Sequence, residues 1–419
     1  SGSIKVANST NNIGLGIKGT MRIENGAQVE IGQAGSGGGI HGYDYFDGDD
    51  SKATGQLIVT GTGSQLTVGN TASGSQSVVA MNKVVLDNGS KTILNHSGTS
   101  SSQWDNQSTN IFAGFGENGG FDINKGAEVQ INDYTHIGAN QGSYMNIDGK
   151  VTLTASGDGS FAFIRGCDNY SSANSFSDSV NATITIGQNA QITAASGSGS
   201  TGIFAPEVTI AGNSDAKAAA TITVASGGKF TLDGDMAEGS KSLSAAAKGA
   251  GQITMTSGKI DVKEGGTLIV GDGSYTDVGS TAEDESAVTT LDIQGGELTG
   301  AGTVQVEGVI KISTAAANNF LGKTKDATGN GQFVFSGGST VYEFKDQADL
   351  ADYTWSGSAS DAEDFIVAEA GTVQGENLAI SSNLKKTGGD PAGVEGKLSV
   401  KATNLTLGGG EGFVSADHA

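Results

Sequence analysis

The densest group of side chains able to do chemistry is the run His41-Gly42-Tyr43-Asp44-Tyr45-Phe46-Asp47-Gly48-Asp49-Asp50. Carboxylates at Asp44, Asp47, Asp49 and Asp50 offer hard oxygen ligands of the kind calcium takes, and the rings of Tyr43, Tyr45 and Phe46 suit stacking on a sugar. The run has no twelfth-position glutamate as in an EF-hand, so a solvated acidic loop with no specific ligand is the competing reading. Two smaller groups, Trp104 with Asp105 and Asn106, and Tyr170 with Asp168 and Asn169, set an aromatic ring beside amides and carboxylates. Each reads as a second binding candidate, or as a ring that lids the end of a core. Calcium is the one cofactor these residues suggest.

Catalytic patterns are thin. Gly157-Asp158-Gly159-Ser160 and Gly271-Asp272-Gly273-Ser274 read as turns, because a nucleophilic serine needs a positioned base and neither run brings one. The histidines His41, His96 and His136 share no zinc-ligand spacing. Polysaccharide lyases set an arginine or lysine near clustered carboxylates, whereas Arg22 and Arg165 both fall inside strand-like runs. The expectation is therefore a chain without catalysis, with a polysaccharide-degrading enzyme as the alternative.

Composition narrows the partners. Lys+Arg 23 against Asp+Glu 45 gives a net charge of -22, so the average field repels nucleic acid and anionic lipid. One cysteine, Cys167, excludes an internal disulfide, and no run reaches the roughly 18 apolar residues of a membrane helix. Gly 68 without an every-third-residue period, together with Pro 2, excludes collagen.

What must position these side chains is a repeated element. A glycine turn followed by a short alternating run recurs as Asn25-Gly26-Ala27-Gln28-Val29-Glu30-Ile31, Thr62-Gly63-Ser64-Gln65-Leu66-Thr67-Val68, Lys125-Gly126-Ala127-Glu128-Val129-Gln130-Ile131 and Gly265-Gly266-Thr267-Leu268-Ile269-Val270, among others. Period-two alternation predicts half-buried strands, and the Asn-Gly and Gly-Gly pairs predict turns where positive φ is cheap. Repetition with almost no amphipathic helix predicts an all-β fold, a right-handed parallel β-helix, over an array of hairpin sandwiches. Scarce proline agrees, since every inner strand of such a solenoid pairs on both sides. About 22 residues per coil would give roughly 15 to 18 coils and a rod on the order of 75 Å.

Segments 35–51, 97–109, 166–179, 214–220, 234–251 and 274–287 break the pattern and read as loops between rungs. After about residue 331 larger aromatics appear, with Phe333-Val334-Phe335, a helix-like stretch over 345–352 and Trp355. The chain thus divides into a rod over 1–330 and a solenoid end with a cap-like segment over 331–419. Outward strand positions are expected to carry Ser, Thr, Asn and Asp. Each hydrogen bond they form with a like rod contributes only about 1 kcal/mol, so affinity must come from number.

The short Gly-Ser/Ala-x-Val-x-Ile repeats, the scarcity of cysteine and proline and the acidic balance resemble the passenger of a bacterial autotransporter, notably the AIDA-type, self-associating adhesins. The resemblance covers the chain from about residue 13 to residue 407. It implies a cell-surface adhesin exported across the outer membrane by a C-terminal β-barrel, with barrel and signal peptide belonging to a longer chain. The partners it implies are the same protein on neighbouring cells, or a host glycan or matrix protein. It implies roles in aggregation, biofilm growth, host attachment and virulence. A phage or surface-layer fibre is a further alternative.

Overall fold

The computed structural model describes residues 3–6, 15–32, 39–42, 54–70, 77–96, 109–114, 118–140, 143–168, 182–205, 207–211, 220–234, 251–271, 289–306, 309–322, 327–335, 340–344, 348–349, 370–380 and 397–407. The strands form three sheets of 10, 11 and 14 strands, one strand of the last pairing off its main path. We name them A, B and C in the order the chain first enters them, at Ser3–Val6, Leu15–Gly16 and Thr20–Ile23. The chain then returns to sheet A at Gln28–Ile31, which pairs in parallel with the strand it began on. This is a three-sided parallel β-helix. No hairpin pairing occurs among the described strands, so the sandwich alternative is set aside.

Register holds the coil together. In sheet A the inward positions Val29, Leu66, Thr92, Val129, Val151, Ile192, Ile222, Ile260 and Leu298 follow one another rung by rung. Sheet C supplies a matching file through Leu57, Val84, Phe121, Met145, Ile184 and Val208. Their side chains join one continuous core, with Thr92 buried in its file. A one-residue slip anywhere would turn these files to solvent, and this burial fixes the register.

The coils are larger than the sequence suggested. From Ser3 to Glu297 sheet A takes 294 residues over nine steps, with single steps from 22 residues (Glu128 to Lys150) to 41 (Lys150 to Gln191). Ten rungs at about 4.8 Å make this part of the rod about 43 Å long. Insertions between rungs lengthen these coils beyond 22 residues.

The glycine-turn motif also lacks one fixed corner. Copies from Asn25 to Asn189 precede strands of sheet A, such as Glu128–Asn132 and Gln191–Ala194. The copies at Gly227, Gly265 and Gly302 precede strands of sheet B: Lys229–Asp233, Thr267–Val270 and Thr303–Val306. Both corners need the same local conformation. Gly26, Gly89 and Gly126 at one corner and Gly227 and Gly265 at the other all take φ between 73° and 86°.

Past residue 331 parallel pairing continues through Gln332–Phe335, Thr340–Phe344, Ala370–Ile380 and Lys397–Leu407. The described helix is not in the expected 345–352 stretch, where Ala348–Asp349 is a strand. It is Thr314–Phe320, capped by the Ser313 side chain and packed on sheet A through Phe320 and Ala317.

Candidate functional site

The three corners are unequal. Between sheets C and A the chain turns within a few residues on almost every coil, the exception being 212–219. Long insertions attach instead to the two edges of sheet B. Residues 33–38, 71–76 and 97–108 precede its strands, and 43–53, 169–181, 235–250 and 272–288 follow them. All three candidate binding segments therefore connect to this one sheet. Tyr43, Asp44, Tyr45, Phe46, Asp47, Asp49, Asp50, Trp104, Asp105, Asn106, Asn169 and Tyr170 lie outside the described residues. Asp168 was expected in a loop, but the backbone of Phe161–Asp168 is strand to its end and pairs Asp168 with Asn140.

Two of the insertions have closed bases. Thr54 and Gly55 both donate their N–H to the Gly42 carbonyl, at 3.2 and 3.0 Å, and a Cβ on Gly55 would lie 2.3 Å from the Gly42 Cα. Only two glycines fit so close. At the base of 235–250, Thr289 donates its hydroxyl to the Asp233 carboxylate, while the Gly234 N–H donates to Asp233 at 2.7 Å and the Gly251 N–H to Thr289 Oγ1 at 3.2 Å. Asp233 and Thr289 are buried, so each hydrogen bond offsets a real desolvation cost.

The outer face of sheet B differs from the other two. Its strands Ser77–Met81 and Thr109–Ala113 are buried on both faces instead of alternately. One outward row runs His41, Ala80, Phe112, Gly138, Arg165, Phe204, Asp233, and the next runs Val78, Asn110, His136, Phe163, Gly202, Thr231. Phe161, Phe163 and Phe204 form an aromatic cluster there, with Phe161 and Phe163 stacked at 5.1 Å and Phe163 and Phe204 edge-on at 4.9 Å. Tyr134 closes one side at 5.6 Å from Phe161, and holds the left-handed φ of 58° that a bulky residue rarely adopts.

Polar groups sit among these rings. Arg165 donates through Nη1 to His136 Nε2 at 3.4 Å, which puts the imidazole proton on Nδ1, and the Phe112 ring packs edge-on against His136 at 5.0 Å. Both residues are buried. His96, 6% exposed at the end of Lys91–His96, packs its ring toward Tyr134, and neither ring nitrogen has a hydrogen-bond partner. Burial alone pushes its pKa below the usual imidazole value.

This arrangement can bind an anion or hold a proton. Among the described residues of the row, the carboxylate of Asp233 stands two rungs from Arg165. Among the described residues no three His, Cys, Asp or Glu side chains gather as a metal site, and no helix is long and apolar enough to cross a membrane. The pairing of His136 with Arg165 was not legible from spacing. The usable signal was the loss of alternation in Phe161-Ala162-Phe163-Ile164-Arg165, which marks a strand buried on both faces.

No protein-family model matches the chain, and no curated protein matches it. One similar solved structure is a crystal structure of a TibA fragment hyper-glycosylated by TibC. It is 10% identical over 97% of this chain and 100% of that chain, with a TM-score of 0.20. A superposition of that quality carries no argument, and the fold rests on the pairing described above.

Proposed function

We propose that the chain is a non-catalytic bacterial cell-surface adhesin, the passenger of an autotransporter, acting by multivalent polar contacts. The supporting observation is the division of labour between its sides. Sheets A and C present plain faces with in-register polar rows, while the insertions gather at the edges of sheet B. On sheet A one row reads Gln28, Gln65, Lys91, Glu128, Lys150, Gln191, Thr221, Lys259, Glu297, and the next contains Thr152, Thr193 and Thr223. These rows hold mainly Thr, Gln, Lys and Glu, with Asp261 and Ile93 in the second. The expected Ser and Asn sit mostly at corners such as Asn25, Ser64, Asn88 and Ser90. A flat face with alternating charge offers many weak, geometrically matched contacts to a second rod.

The partner is then the same chain on a neighbouring cell, and a host glycan or matrix protein would be taken by the insertions. Calcium at Asp44, Asp47, Asp49 and Asp50 belongs to the second mode. The test is aggregation of cells that display only this chain. Clumping should need no other partner and should vanish when Thr152, Thr193 and Thr223 are all changed to Asp. Failure to clump at all would leave host binding as the function.

One observation favours an enzyme instead: the buried Arg165–His136 pair on the side that carries the insertions. Incubation with pectin, alginate and glycosaminoglycans decides it. New reducing ends or unsaturated products that disappear in Arg165→Gln would establish catalysis.

A further inference from the structure

On the described outer face of sheet C, one aromatic ring covers a glycine. Tyr144 follows Gly120 in the outward row, and Lys83 precedes Gly120. A Cβ on Gly120 would meet Tyr144 Cε1 and Cζ at 2.5 Å and Cδ1 at 2.8 Å, so the ring occupies the place where a side chain would stand. The ring therefore covers Gly120, and the residue is half-exposed.

Three polar groups meet on the Asp122 carboxylate beside the ring. The Tyr144 hydroxyl donates to Asp122 Oδ2 at 3.3 Å, Asn146 Nδ2 donates to Asp122 Oδ1 at 2.9 Å, and Lys83 Nζ lies 3.4 Å from Asp122 Oδ2. Its hydrogen bond to the Tyr144 hydroxyl, then the Asp122 charge, against partial burial, raise the Lys83 pKa, so the ammonium stays charged at neutral pH. Asn146 is exposed and keeps its carbonyl oxygen and second N–H for another partner.

Stability does not account for this arrangement. A part-exposed pair such as Lys83–Asp122 contributes about 0–1 kcal/mol, and a glycine inside a strand costs about as much. What the arrangement provides is order: all three polar groups converge on one carboxylate, so their side chains lose little freedom when something binds.

We propose that Tyr144, with Lys83, Asp122 and Asn146, is a binding subsite for a neutral hexopyranose unit, stacked by its C–H face on the ring and held by hydroxyls on Asn146, Asp122 and Lys83. The charge balance of Lys83 against Asp122 selects a neutral sugar over a uronate. The proposal does not depend on the adhesin reading, because its assay reads sugar binding and not clumping.

Saturation-transfer NMR on the full chain with methyl β-galactopyranoside, methyl β-glucopyranoside and N-acetylglucosamine tests it. At least one sugar should receive saturation through its ring C–H groups, with millimolar affinity. Gly120→Ala, which pushes the ring off the sheet, and Tyr144→Ala should each weaken that sugar by tenfold or more, while Tyr134→Phe leaves it unchanged. Far-UV circular dichroism and a melting curve report whether each variant is folded. If a Gly120 or Tyr144 variant does not fold, Asn146→Ala, at an exposed position, takes its place with the same expected loss. No transfer to any of the three sugars, or equal transfer in the folded variants, overturns the proposal. Clumping that persists while sugar binding fails would overturn this site and leave the adhesin reading standing.

Discussion

Thr92 is the residue at which the core departs from its own pattern. It stands in the sheet A file between Leu66 and Val129, fully buried, and its hydroxyl has no hydrogen-bond partner. A buried hydroxyl left unpaired costs about 1–3 kcal/mol, and valine has nearly the same shape. Thr92→Val should therefore raise stability by about 1 kcal/mol in urea unfolding, and a loss would mean that the hydroxyl has a partner in solution. His96 gives the matching prediction in pH. Its folded pKa lies below 6.5, so the unfolded chain takes up the proton first as the solution is acidified. The stability it allows is complete above 6.5 and is lost as the pH falls through the depressed folded value. Unfolding free energies of the wild type and His96→Phe should run parallel above 6.5 and diverge below it, with the wild type falling faster. Neither residue was visible as special in the sequence: Thr92 sits in an ordinary alternating run, and His96 becomes isolated only when Tyr134 from the next coil packs on it.

At the scale of elements, local pattern was legible and its placement was not. The alternation Val29, Ile31 or Ile192, Ala194 told which side of each strand is buried, because the period of two is a property of the strand alone. Which corner a glycine turn serves depends on how many residues separate it from its neighbours, and Asn25-Gly26 and Gly227-Gly228 look alike while turning different corners. The binding candidates show the same limit. Their residue types were legible, but their common attachment to sheet B emerged only from the ladder, since His41, Thr109 and Asp168 are far apart in the chain. The closed bases carry a consequence for these insertions. Gly234 and Gly251 are held together by Asp233 and Thr289, so the coil does not need 235–250 to meet. Replacing 235–250 by two glycines should leave the melting temperature within a few degrees. Thr289→Val, which removes the hydroxyl that accepts from Gly251 and Gly234, should lower stability by about 1–3 kcal/mol. A large loss on excision would show that the insertion supports the rod.

The whole molecule behaves as a one-dimensional stack, because each rung is bonded only to the rungs above and below it. A defect should therefore cost according to its position along the axis more than to its chemistry. Thr193 lies in a central rung, with Thr152 on one side and Thr223 on the other, whereas Lys5 lies in the first rung of sheet A and pairs on one side alone, with Glu30. Proline at either site removes one N–H and fixes φ, but only in the centre does the loss break contact between two stacked halves. Thr193→Pro should cost about 3 kcal/mol or more and split the urea transition into two, as the parts on either side unfold independently. Lys5→Pro should shift a single transition slightly. Equal costs, or one cooperative transition in both variants, would mean that contacts other than the ladder bind the rod along its length.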